Sequence, residues 1–160
     1  MSKLAPVHSG VAMSFHPLAD VHVHHGALSV ADIGRSIAFY ETVLGFKVDT
    51  HITVSEGALE IVHLVKGNSF LELFCQRNAA PLPKHARESS DDIAVIGTKH
   101  ISFGTDFPDD LHAWLRRHEV AGLTEIFDGT HYKYFFFKDP DLITLEVVSR
   151  KGQSTRSSPV

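Results

Sequence analysis

The sequence predicts an α+β fold built from two paired βαβββ modules, and three observations predict it. The order strand, helix, three strands runs along the chain and then runs again. A histidine and a glutamate recur with it: His25 precedes Glu72 by 47 residues and His100 precedes Glu146 by 46, which sets the histidines 75 apart and the glutamates 74 apart. At 160 residues the chain has the length of one ordinary domain, so the two units must share a single core.

Residues 1–19 are expected to form an irregular arm, 20–76 the first module, 77–98 a linker, 99–150 the second module and 151–160 a flexible tail. The first module opens with a strand over 23–30. Asp32 is placed to cap a helix whose Ile33, Ile37, Tyr40 and Leu44 fall at helical spacing, and Gly45 supplies its stop. Strands over 46–54, 59–65 and 69–75 follow, rich in β-branched and aromatic residues. In the second module a strand over 100–105 leads to Asp109 near the start of a helix over 110–120, with Gly122 as its stop. Strands over 123–128, 131–137 and 142–148 complete it. The Pro- and Ser-containing segment around 81–92 belongs to the linker.

Composition narrows the function. An apolar fraction of 43% and a charged fraction of 21% describe a soluble globular chain, and a net charge of -4 offers no footprint for nucleic acid or an anionic membrane. The single Cys75 forms no internal disulfide, the first fifteen residues lack the apolar stretch of a signal peptide, and no run reaches membrane-spanning length. A cytoplasmic protein acting on a small molecule is expected. Twelve histidines are many, but His8, His16, His85, His112 and His118 fall in loops or on a helix where a solvated or packed imidazole is the ordinary outcome.

The four repeated residues differ from these. Alternation along a strand puts His25 on one face with Ala27 and Ser29, and His100 with Ser102 and Gly104, opposite the hydrophobic residues. Glu72 shares its face with Phe70 and Phe74, and Glu146 with Thr144 and Val148. A carboxylate amid such apolar strands is costly if buried unpaired, and a divalent cation compensates it. Two imidazoles and two carboxylates suit one Zn, Ni, Co, Mn or Fe ion per site. The plain alternative is a solvent-facing or salt-bridged glutamate on an edge strand, which four residues in register disfavour. His22 and His24 fall on the other face, as supporting or surface groups.

The segments HHGALSVADIGRSIAFYETVLGF, LELF, GTKHISF and FFFKDPDLITLEVV resemble the vicinal oxygen chelate superfamily, which includes glyoxalase, bleomycin-resistance and extradiol dioxygenase proteins. The resemblance covers about residues 22–150. It implies a curved mixed sheet around a metal site, with His25, Glu72, His100 and Glu146 at the ligand positions of glyoxalase I and methylmalonyl-CoA epimerase. It also implies proton transfer beside a chelated oxygen, with a carboxylate such as Glu146 carrying the proton. SEGALEIVHLVKGNSFLEL is similar to an epimerase segment and sets Glu56 at an acidic catalytic position, although Ser55 and Gly57 depart from that pattern. Leu142 stands where many members have glycine, so that turn is expected to differ locally.

The leading expectation is therefore a metal-dependent lyase or isomerase of glyoxalase or epimerase type. An Fe(II) extradiol ring-cleaving dioxygenase using His25, His100 and Glu146 is the alternative, against which Glu72 argues because a fourth protein ligand leaves too few positions for catecholate and O₂. A non-catalytic antibiotic-binding protein is a further alternative, against which the intact ligand set argues. Phe70, Phe74, Tyr132, Tyr134 and Phe136 share the ligand faces and are candidate pocket residues for an apolar substrate. A homodimer is expected, and the sequence leaves open whether the modules pair within a chain or exchange between chains.

Overall fold

The computed structural model describes residues 21–87 and 89–152; the expected arm over 1–19 and the tail beyond residue 152 lie outside the described residues. The first module comprises β1 (His25–Ser29), α1 (Ile33–Leu44), β2 (Lys47–Val54), β3 (Leu59–Lys66) and β4 (Ser69–Gln76). Two short helices, α2 (Lys84–Arg87) and α3 (Ser89–Asp92), occupy the segment expected to be only a linker. The second module comprises β5 (Ile101–Gly104), α4 (Pro108–Arg117), β6 (Phe127–Asp128), β7 (Tyr132–Lys138) and β8 (Thr144–Arg150). Each module makes a four-stranded mixed sheet, ordered β1-β4-β3-β2 and β5-β8-β7-β6. In both, the opening strand pairs parallel with the last one and the remaining pairs are antiparallel.

Local chemistry sets the helix limits. The Asp32 carboxylate accepts the Arg35 backbone N–H at 2.8 Å, and Gly45 turns left-handed (φ 73) to end α1. In the second module the sequence misplaces both ends. Pro108 occupies the first turn, where its missing N–H costs nothing, so α4 begins before Asp109. It ends at Arg117 rather than running to Gly122, because Glu119 adopts the left-handed turn (φ 51) and the N–H groups of Val120 and Glu119 close back on the carbonyls of Leu115 and Arg116. The strand expected over 123–128 shrinks to Phe127–Asp128, since the Thr124 hydroxyl takes the Phe136 N–H at 3.0 Å in place of a ladder partner.

One core joins the modules. Tyr40, Phe46, Val62, Leu64, Leu73, Leu115, Phe135, Phe137, Leu145 and Val147 are buried together. Each sheet thus commits the face opposite its histidine and glutamate to packing. Gly26 is held at the junction by space: a Cβ there would lie 2.7 Å from Ile101 Cδ1. Polar contacts fix α1 on the second module. The buried Tyr40 hydroxyl donates to Asp139 Oδ2 at 3.1 Å, Arg35 meets Asp141 at 2.6 Å, and Trp114 Nε1 donates to the Val43 carbonyl at 3.0 Å. Asp139 also accepts the backbone N–H groups of Asp141 and Ile143. Burial pushes the Asp139 carboxyl above the usual carboxylate range despite those donors, and burial beside Asp139 pushes the Tyr40 phenol up, so Tyr40 stays a donor.

The turn after Asp139 corrects the sequence reading. Leu142 itself adopts φ 68, the left-handed backbone for which glycine is the usual residue, so the turn keeps its shape around the leucine instead of changing to suit it. The three bonds to the Asp139 side chain and the Leu142 N–H to the Asp139 carbonyl hold it there. Among the described residues no helix is long and apolar enough to cross a membrane.

Candidate metal centre

The two modules place their candidate ligands by the same register. In the first, Ala27 pairs with Glu72 across the parallel β1–β4 ladder, and His25 lies two residues before Ala27. In the second, Ser102 pairs with Glu146 across β5–β8, and His100 lies two residues before Ser102. Because side chains return to the same face every two residues, each imidazole stands over its own glutamate. His25 Nε2 is 3.4 Å from Glu72 Oε2, and His100 Nε2 is 3.3 Å from Glu146 Oε2.

These separations exceed an ordinary N–H···O hydrogen bond. They suit two donors sharing a cation instead: at bond lengths near 2.1 Å, adjacent ligands of a tetrahedral or octahedral ion sit roughly 3.0–3.4 Å apart. The donor types, imidazole nitrogen and carboxylate oxygen, are those that zinc, nickel, cobalt, manganese and iron take. Each pair therefore fits half of a metal site. The four residues are not brought to one point: among the described residues no group of three or more His, Cys, Asp and Glu side chains could hold a metal ion within a single chain.

The surroundings of the two pairs differ. Glu72 faces His63 across β3–β4, and His63 Nε2 donates to Glu72 Oε1 at 2.8 Å. At the equivalent place Glu146 faces Phe136, whose ring lies edge-on to His100 with centroids 5.7 Å apart. His63 escaped the sequence reading, yet its signal is countable. Gly67-Asn68 reads as a two-residue hairpin turn, which pairs Lys66 with Ser69 and, counting back, His63 with Glu72.

The remaining candidates separate by position. Phe70 and Phe74 pair with Val65 and Ile61 on the Glu72 face, and the His24 ring stacks on Phe70 with its Nδ1 2.9 Å from that of His25. Tyr132, Tyr134 and Glu146 line one cavity of about 310 Å³, and Tyr134 stacks against Phe127. A larger cavity of about 770 Å³ between the modules has His24 and His25 on its wall but neither glutamate. Glu56 is exposed at the β2–β3 hairpin tip, where Ser55, Glu56 and Gly57 are all left-handed. Seven residues separate it from His63, roughly 20 Å of extended chain, so the fold does not bring it to Glu72.

The family model for the Glyoxalase/Bleomycin resistance protein/Dioxygenase superfamily matches residues 22–147, both modules entire up to the final strand. The chain belongs to that superfamily. Within it, the chain is similar to YwbC of Bacillus subtilis (strain 168), 30% identical over 136 residues covering 80% of this chain and 97% of the relative. It is similar also to YaeR of Escherichia coli (strain K12), 31% identical over 127 residues covering 78% and 93%. Among solved structures, a glyoxalase family protein from Enterococcus faecalis superposes with a TM-score of 0.67 at 25% identity, covering 79% of this chain and 96% of that one. The superfamily's paired βαβββ modules are thus present, and the ligand-type residues His25, Glu72, His100 and Glu146 lie on their open faces.

Proposed function

We propose that the protein is a divalent-metal-dependent lyase or isomerase that moves a proton on a small oxygenated substrate. One observation carries this reading: the same histidine–glutamate pair, at 3.4 and 3.3 Å, stands at the same register position in both modules. His25, Glu72, His100 and Glu146 would hold one ion of nickel, cobalt, zinc, manganese or iron. Bound there, the ion would supply Lewis acidity to substrate oxygens and so acidify a neighbouring C–H bond.

The chain's own residues do the rest. Glu146 accepts the proton on a carboxylate oxygen and returns it to the adjacent position, from a wall it shares with Tyr132 and Tyr134. Phe70, Phe74 and Phe136 flank the two pairs and favour a substrate with an apolar body. The hairpin-tip Glu56 acts at this site only if another chain brings it there.

The site is completed by two copies, the first module of one and the second module of the other. Supporting this, neither pair gathers a third protein donor within one chain. The ligand face of the first module also leaves Ile52 and Val54 exposed, and that of the second leaves Phe127 and Tyr132 exposed. Contiguous apolar surface of that kind marks an interface.

The test is proton exchange in D₂O. Protein loaded with each metal in turn is incubated with small 2-oxo and 2-hydroxy carbonyl compounds, and deuterium incorporation beside the oxygen is followed by NMR. Exchange that is lost in Glu146→Gln supports the reading. Oxygen uptake with catechols by the iron-loaded protein, without exchange, would establish the dioxygenase instead. Neither activity, with tight binding of an aromatic antibiotic by metal-free protein, would make it a binding protein.

A further inference from the structure

The two glutamates differ in one respect that the repeat does not require, and it points to a role for His63. Both Glu72 and Glu146 side chains are 18% exposed, and each has its own histidine at nearly the same distance. Burial and ligand geometry therefore do not distinguish them. Their cross-strand partners do: His63 opposite Glu72, Phe136 opposite Glu146.

We infer that His63 is a positioning residue that fixes Glu72 as a one-oxygen metal ligand. This rests on the proposed site of His25, Glu72, His100 and Glu146. An ionised carboxylate only accepts, so His63 presents Nε2–H to Glu72 Oε1 at 2.8 Å. The other oxygen, Oε2, is the one that faces His25 Nε2. A carboxylate held by one oxygen turns its second toward the ion and cannot swing to chelate with both. His63 is not itself a third donor, since His25, His63 and Glu72 do not converge on a common point.

Glu146 has an aromatic ring where Glu72 has a donor, so its side chain is free to pivot. The asymmetry thus divides the two carboxylates by task, with Glu72 the permanent ligand and Glu146 the one that leaves to carry a proton. Chemically similar ligands are often separated in this way by a hydrogen bond one layer out.

The experiment is titration of the full-length metal-free protein with Zn²⁺ alone, followed by calorimetry, for wild type, His63→Phe and His63→Gln. Phenylalanine copies the second module's residue and fits an apolar strand, while glutamine keeps an N–H donor. Thermal unfolding of the metal-free proteins checks that each is folded. The inference predicts unchanged stoichiometry in all three, an affinity lowered about 10- to 100-fold in His63→Phe, and most of that loss recovered in His63→Gln. Wild-type affinity in His63→Phe would overturn it, and so would equal weakening in both variants, which would make the imidazole itself a ligand. A wild-type protein that binds no Zn²⁺ while remaining folded would overturn the underlying metal reading and the inference with it.

Discussion

The first and second modules are near-copies in backbone and unlike in what surrounds the copied residues. Both pair an opening strand in parallel with a last strand, both set a histidine two residues before the partner of a glutamate, and both leave that face open. The first module then adds a polar side chain, His63, beside its glutamate, whereas the second adds Phe136, Tyr134 and Tyr132. Their turns diverge too. The β3–β4 turn uses Gly67 at φ 57, but the β7–β8 turn forces Leu142 to φ 68 and anchors it through Asp139. A repeat of this kind preserves what the metal needs and leaves the neighbours free to specialise, one side for rigidity and the other for substrate.

The largest effect should come from breaking the clamp that only the second module has. Asp139→Ala removes the acceptor of three hydrogen bonds at a buried site, and is expected to cost about 3 kcal/mol of unfolding free energy in a urea titration. Asp139→Asn sharpens the point through pH. The carboxyl's value is raised in the fold, so its contribution is whole below the ordinary carboxylate range and is lost as pH rises through the raised value. The asparagine variant lacks that loss, so its stability relative to wild type should rise from pH 4 to pH 7. A flat difference across that range would contradict the buried carboxyl.

Exchanging the partners tests the division between the glutamates. Phe136→His gives Glu146 the donor that Glu72 has, and metal affinity is expected to rise about 10-fold while proton exchange falls, since the freed carboxylate is now tethered. Unaltered exchange would mean that Glu146 does not move. Tyr40→Phe, which removes one buried hydrogen bond from the same clamp, should cost about 1–2 kcal/mol. The smallest effect belongs to Leu142→Gly. Relief of left-handed strain, about 1–2 kcal/mol, less the greater freedom of glycine in the unfolded chain, about 0.5–1 kcal/mol, leaves a gain of about 0.5–1 kcal/mol in the same titration.

Much of this architecture was legible from period and spacing. Alternation in β1, β4 and β8 assigned the ligand faces, and Asp32 and Gly45 marked the first helix because capping chemistry is local. The second helix was misjudged at its end because Glu119 takes a conformation that sequence assigns to glycine, and the turn at Leu142 for the same reason. In both cases hydrogen bonds from distant or non-adjacent groups outweigh a modest residue preference. His63 was hidden for a different reason: its meaning lies in a cross-strand neighbour, which emerges only when register is counted through the Gly67-Asn68 turn. That the pairs stay separate within one chain depends on how the modules pack, and no local pattern encodes it.

The most direct test of the two-copy site is complementation. His25→Ala and His100→Ala variants are each purified, then unfolded, mixed and refolded together, and bound Zn²⁺ is measured in the separate and mixed samples. If the first module of one chain meets the second module of another, each mixed dimer carries one intact site, and the mixture should bind roughly a quarter of the wild-type metal by random pairing while either variant alone binds little. A mixture that binds no more than its two components would contradict a site shared between copies.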